Sequence, residues 1–141
     1  MPETIYEVKL LHVLIVDDDR DLLDTLKTLL ESKDCLVSTA SNGVDALKLI
    51  MHMDVDIILC DLLMPSMAGD MFYAAVERVK PKLCSRFIFV TGYEGHPKFG
   101  AFLEKSKAVV LYKPITLGKL TGTMRIVLDR AATERKQNGM G

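Results

Sequence analysis

Runs of branched apolar residues and amphipathic stretches alternate along the chain. The first run, Leu10 to Val16, is continuous instead of alternating, as expected for a strand buried on both faces, and it stops at Asp17-Asp18-Asp19. Leu22, Leu23, Leu26, Leu29 and Leu30 then recur at helical spacing, with Asp21 and Asp24 early and Lys33 late, as the helix dipole favours. Cys35 to Ala40 predicts a second strand. Ser41-Asn42-Gly43 breaks it and offers cap oxygens to a helix carrying Val44, Leu47, Ile50 and Met51. Val55 to Cys60 predicts a third strand, ended by Asp61, and Met71, Phe72, Ala75, Val76 and Val79 mark a helix that should stop near Pro81. Phe87 to Val90 is a fourth strand, closed by Thr91-Gly92. Gly95, His96, Pro97 and Gly100 then leave room only for a short and mobile helix over Phe99 to Lys105. Ala108 to Tyr112 is the fifth strand, closed by Lys113-Pro114, and Leu117, Leu120, Met124, Val127 or Leu128, and Ala131 mark a final helix.

Five strand–helix units with no internal repeat imply an α/β fold, a doubly wound (βα)5 arrangement on a parallel sheet. Residues 1–9 read as an N-terminal extension, 10–132 as the domain, and 133–141 as a polar C-terminal tail expected to fray. The length of 141 residues suits one domain that buries roughly two-thirds of its unfolded surface. Eighteen Lys and Arg against 19 Asp and Glu remove the electrostatic footprint of a nucleic-acid binder or a polybasic membrane protein. Cys35, Cys60 and Cys84 have neither disulfide-framework nor zinc spacing, which reads as reduced thiols in a cytoplasmic protein, with Cys60 in the core. Glu3 and Glu7 argue against a signal peptide, and no apolar run approaches the roughly 18 residues of a membrane span.

Right-handed crossovers place the carboxyl ends of all five strands along one edge of the sheet, where such folds bind ligands. Asp17 and Asp18, Asp61, Thr91 and Lys113 each follow directly on an apolar strand, so they converge there. Three carboxylates in one crevice repel each other, and at least one should have a raised pKa unless a cation joins them. Mg2+ suits such an oxygen-rich site. A lysine ammonium and a threonine hydroxyl add what a phosphoryl group needs, and one carboxylate oxygen is then free to act as nucleophile. Taken singly, Asp19 and Asp21 read as helix caps, and His12, His52 and His96 as structural or solvent residues.

Four segments in order resemble the response-regulator receiver family, the CheY-like domains of two-component signalling: Val13 to Asp19, Asp61 to Gly69, Phe89 to Gly92, and Tyr112-Lys113-Pro114. The resemblance covers roughly Leu10 to Ala131. It implies a flavodoxin-like sheet of order 2-1-3-4-5, with Asp61 as phospho-acceptor, Thr91 as switch hydroxyl and Lys113 as its partner. Asp18 and Asp61 resemble the direct ligands of Mg2+, Asp17 a ligand acting through water, and Leu63 a ligand through its backbone carbonyl. A cis bond at Lys113-Pro114 is also implied.

The family's partners would be a sensor histidine kinase or phosphotransfer protein, and a downstream protein reading helix four, strand five and helix five. A homodimer is compatible with this reading. Such a domain is not an enzyme beyond its own phosphorylation and dephosphorylation. About ten residues follow the last helix, too few for a helix-turn-helix, so direct nucleic-acid contact is not expected. The family's usual aromatic three residues before the lysine is here Val110, with Tyr112 nearby. In the family, the positions of Leu63 and Tyr93 flank the water path to the phosphoryl group; here both are bulky, which by the resemblance implies slow autodephosphorylation. Asp17 and Asp19 also fit the DxD signature of haloacid-dehalogenase-like phosphatases, which would make them nucleophile and acid/base. A phosphate-independent, receiver-shaped interaction module is the remaining alternative.

Overall fold

A computed structural model describes residues 10–92 and 99–139. Strands β1 (His12–Val16), β2 (Leu36–Ala40), β3 (Ile57–Asp61), β4 (Phe87–Thr91) and β5 (Val109–Tyr112) form one parallel sheet in the order β2-β1-β3-β4-β5. Helices α1 (Arg20–Glu31), α2 (Gly43–His52), α3 (Gly69–Val79), α4 (Gly100–Lys105) and α5 (Leu117–Gly139) alternate with them. This is the expected doubly wound arrangement. The N-terminal extension, and the segment containing Tyr93 and His96, lie outside the described residues.

The continuous apolar runs are explained by burial on both faces. Alternate residues of one strand enter different cores, so every position of β3 and β4 is buried. Val13, Ile15, Ile57, Leu59, Ile88 and Val90 pack with Leu26 and Leu30 of α1 and Leu120 and Val127 of α5. Leu14, Ile58, Phe87 and Phe89 face the other way, onto Ile50 of α2, Phe72 and Val76 of α3, and the Phe102 edge of α4. Every ring pair among the described residues belongs to this second core, including Tyr73 on Phe87 at 5.0 Å and Phe89 on Phe102 at 5.6 Å between centroids. Each fully buried large side chain contributes about 1.5–3 kcal/mol.

Two stretches differ from the sequence expectation. Pro81–Arg86 forms a 3₁₀ turn between α3 and β4, with Pro81 in its first turn and Leu83 N–H donating to the Lys80 carbonyl at 2.9 Å. At six residues it is too short to leave a readable period. The tail expected to fray from Thr133 is instead helix: α5 continues to Gly139. Ala131, Ala132, Glu134, Arg135, Lys136 and Gln137 are strong helix formers, and the Thr133 hydroxyl donates to the Asp129 carbonyl at 3.0 Å, so propensity sustains the helix after its apolar stripe ends.

Polar side chains tie the other edge of the sheet. Lys80 Nζ donates to the carbonyls of Ile50 at 2.6 Å and Met53 at 3.5 Å, capping the C-terminus of α2. His12 has the structural role expected of it, with Nε2 2.8 Å from Ser38 Oγ and Nδ1 2.9 Å from the Asp54 carbonyl oxygen. No helix among the described residues is long and apolar enough to cross a membrane.

Candidate functional site

The register of the sheet assembles the acidic residues. Val16 pairs with Ala40 on one side and Cys60 on the other, so Asp17 leaves β1 at the level where Asp61 ends β3. The Asp17 amide still donates to the Ala40 carbonyl at 3.1 Å, which holds the residue at the sheet edge before the chain turns into α1. Carboxylate oxygens of Asp17, Asp18 and Asp61 all lie within 4.8 Å of one another. Asp17 and Asp61 are 3% and 8% exposed, while Asp18 is exposed and opens the cluster to solvent.

Few donors reach these carboxylates. Asp17 Oδ1 accepts the Asp19 amide at 2.9 Å, and Asp61 Oδ1 accepts the Leu63 amide at 3.2 Å. Burial first, and then the neighbouring Asp17 carboxylate, push the Asp61 pKa up to about 6; the Leu63 amide and the Lys113 ammonium oppose this without cancelling it. The Asp17 pKa is raised too, chiefly by burial. The crevice therefore holds an uncompensated negative charge on hard oxygen donors, which is what a divalent cation such as Mg2+ requires.

Thr91 and Lys113 close the other side. Thr91 is the last residue of β4 and is 3% exposed. Its carbonyl accepts the Lys113 amide at 2.9 Å, fixing the end of β5 beside the end of β4. The attraction of Lys113 to both Asp17 and Asp61 places its ammonium within the field of the acid cluster. The Lys113-Pro114 bond is cis, as the resemblance implied. Among the described residues, the nearest atom to a Cβ on Gly92 would be Lys113 Cδ, at 4.0 Å.

Asp17, Asp18, Asp61, Thr91 and Lys113 are thus brought to one edge, and the Leu63 backbone lies against Asp61. Asp19 is not among the converging carboxylates. Its side chain accepts the Leu22 amide at 3.2 Å as the N-cap of α1, which corrects the phosphatase-like alternative that needed it as acid/base. Cys60 is buried as expected, and burial beside Asp61 and Asp17 drives its thiol pKa well up, so it stays protonated and inert.

Gly69 was legible in the sequence only as loop punctuation, yet it sets the position of Asp61. A Cβ on it would lie 2.7 Å from the Asp61 carbonyl oxygen, 3.0 Å from Leu62 Cα and 3.1 Å from Phe89 Cε1, and its amide donates to the Leu62 carbonyl at 3.0 Å. Only glycine lets α3 start this close to the β3 end. A glycine opening the helix that follows the loop after an acid-terminated strand was the available signal.

A family model for the response regulator receiver domain matches residues 13–125. The chain belongs to the response-regulator receiver family. It is 30% identical over 121 residues to the transcriptional regulatory protein GlrR of Escherichia coli K12, covering 86% of this chain and 27% of that protein. It is 38% identical over 81 residues to the response regulator SaeR of Staphylococcus epidermidis, covering 57% of this chain and 34% of that protein. The chain therefore spans about a quarter to a third of the length of these two relatives. The chemotaxis protein CheY4 of Vibrio cholerae superposes with a TM-score of 0.78 at 26% identity, over 85% of this chain and all of that one. The receiver fold and its CheY-like sheet order are those observed here.

Proposed function

We propose that this receiver accepts a phosphoryl group on Asp61 from the phosphohistidine of a sensor histidine kinase or a phosphotransfer protein, and passes the signal on by protein–protein contact in the cytoplasm. The observation that carries the reading is the Asp17, Asp18 and Asp61 cluster, closed by Thr91 and Lys113 at the neighbouring strand ends. Asp17, Asp18, Asp61 and the Leu63 carbonyl would hold Mg2+, which when bound supplies charge neutralisation at the phosphoryl oxygens.

An Asp61 carboxylate oxygen attacks phosphorus while the bond from phosphorus to the donor imidazole nitrogen breaks. The imidazole keeps that electron pair and takes up a proton. With its pKa near 6, Asp61 is ionised at neutral pH yet poorly solvated, so its oxygen is available without stripping a full hydration shell. The Leu63 amide orients one oxygen and leaves the other for attack. Lys113 and the Thr91 hydroxyl then bind the charge of about -2 that the phosphoryl group brings, drawing Thr91 toward the site and biasing β5, α4 and α5. The domain itself occupies residues 10–132 on this reading.

Incubation with acetyl phosphate and Mg2+, followed by intact mass measurement, tests the proposal. One base-labile phosphate adduct is expected on the parent chain, and none on Asp61→Asn. An unmodified parent chain would favour a phosphate-independent interaction module.

A further inference from the structure

The edge of the sheet opposite the acid cluster carries a feature that phosphoryl chemistry does not use. The 3₁₀ turn Pro81–Arg86 precedes β4, Lys107 precedes β5, and the C-terminal part of α5 returns to the same edge and packs on that turn. Between them lies a cleft of about 470 Å3, lined by Pro81, the buried Ser85 and Ala131, and the charged residues Lys82, Arg86, Lys107, Glu134 and Arg135. Arg130 joins the rim, with Nη2 donating to the Lys107 carbonyl at 3.1 Å. Arg86 Nη1 likewise donates to the Asp56 carbonyl at 3.2 Å.

The charge here is lopsided. Lys82, Arg86, Lys107 and Arg135 line the cleft with the one carboxylate of Glu134, Arg130 is bonded beside them, and the carboxylate of Glu77 acts on the nearby Cys84 together with Lys107. Among the described residues the one ion pair within 4.0 Å is Lys80 with Asp54, so none of these five cations has a carboxylate partner at that distance. The chain as a whole is acidic by one charge, which makes the local excess of cations a property of this edge. Arg86 and Arg130 each give one N–H to a backbone carbonyl, which holds the guanidinium in place and leaves its other donors for a ligand.

We propose that this cleft docks an acidic peptide segment of a partner protein, its Asp and Glu carboxylates paired with Lys82, Lys107 and the arginines. Carboxylates suit the planar donor fork of arginine, and the aliphatic stems of Glu fit over Pro81 and Ala131. A nucleic acid is less well matched: the cations surround a short cleft instead of tracking a phosphate backbone, and the near-neutral chain supplies no long-range pull. Docking here leaves the Asp61 edge free, so a partner can hold the receiver during phosphorylation.

The test titrates a short fluorescein-labelled Glu/Asp peptide with the full chain, following anisotropy, beside a Gln/Asn peptide of equal length and a single-stranded oligonucleotide. Saturable, salt-weakened binding of the acidic peptide is expected, about tenfold or more tighter than the neutral one. The exposed-site variant Lys82→Gln/Lys107→Gln/Arg135→Gln should lose it about tenfold or more while keeping the acetyl phosphate adduct on Asp61, and Glu134→Gln should bind a few-fold tighter than the parent. The proposal is overturned by absence of saturable binding, by a triple variant that binds like the parent, or by an oligonucleotide that binds more tightly than the peptide. Adduct formation is read separately, so failure here is distinguishable from failure of the phosphorylation reading.

Discussion

Replacing Asp61, the proposed phospho-acceptor, should stabilise this protein, in the absence of metal, at neutral pH. Asp61 is 8% exposed and pressed against Asp17, and its carboxyl is held at about 6 instead of the usual 3.8. The folded protein therefore binds more protons than the unfolded chain between those two values, and stability falls as pH rises through that window. Above pH about 6 the full penalty is present, about 3 kcal/mol at 1.36 kcal/mol per pKa unit. Asp61→Asn removes it, because the amide carries no charge and its oxygen can still accept the Leu63 amide now bonded to Oδ1. At pH 7.5 with a chelator present, the variant should be more stable by up to about 3 kcal/mol, or roughly 6–12 °C in Tm for a chain of this size. The gap should narrow as pH falls below 6 and close below about pH 4, where the parent carboxyl is protonated in both states. Mg2+ should raise the parent's Tm and the variant's by less. Urea and thermal melts across pH would refute the reasoning if Asp61→Asn were no more stable at pH 7.5, or if its advantage persisted unchanged at pH 4.

Three further outcomes follow from particular contacts. Gly69→Ala should cost about 1–3 kcal/mol in urea melts and slow acetyl phosphate labelling, because its Cβ meets the Asp61 and Leu62 backbone; a cost near zero would mean that α3 can shift away. Lys80→Ala should lower stability by about 1–2 kcal/mol through loss of its bonds to the α2 carbonyls, and Lys80→Arg should recover part of that. Leu63 is 48% exposed and its amide bonds Asp61, the proposed acceptor, so Leu63→Asn, which offers water a polar partner there, should shorten the Asp61 phosphate lifetime several-fold, measured by loss of the mass adduct; an unchanged lifetime would count against a role for this side chain.

The parts of the fold written in side-chain pattern were the readable ones. Val13 to Val16 or Phe87 to Val90 can be continuous and apolar only if both faces are covered, and the polar residue following each strand then has to fall at the shared edge. That logic alone places Asp17, Asp61, Thr91 and Lys113 together. Features resting on backbone shape or propensity were harder to read. The 3₁₀ turn Pro81–Arg86 is held by local backbone bonds within about two turns, and α5 beyond Ala131 continues on propensity with no apolar stripe to announce it. Gly69 acts through an absent Cβ, which a sequence shows only as a glycine. The separation of Asp19 from Asp17 and Asp18 depended on whether its side chain turned to cap α1, a choice that three consecutive aspartates leave open.

The one-sided placement of the aromatic rings decides what optical probes can report. The chain has no Trp, and among the described residues the ring contacts lie on the α2, α3 and α4 side of the sheet, with aliphatic packing alone under α1 and α5. Near-ultraviolet circular dichroism from these packed rings therefore responds to rearrangement around Tyr73, Phe89 and Phe102 and not to repacking of the aliphatic bed under α5. A conserved aromatic spectrum upon phosphorylation would speak for one half of the domain only. A reporter for the α5 half has to be introduced, and Ile126, 53% exposed on that helix, is a site where a single tryptophan can be placed without disturbing either core.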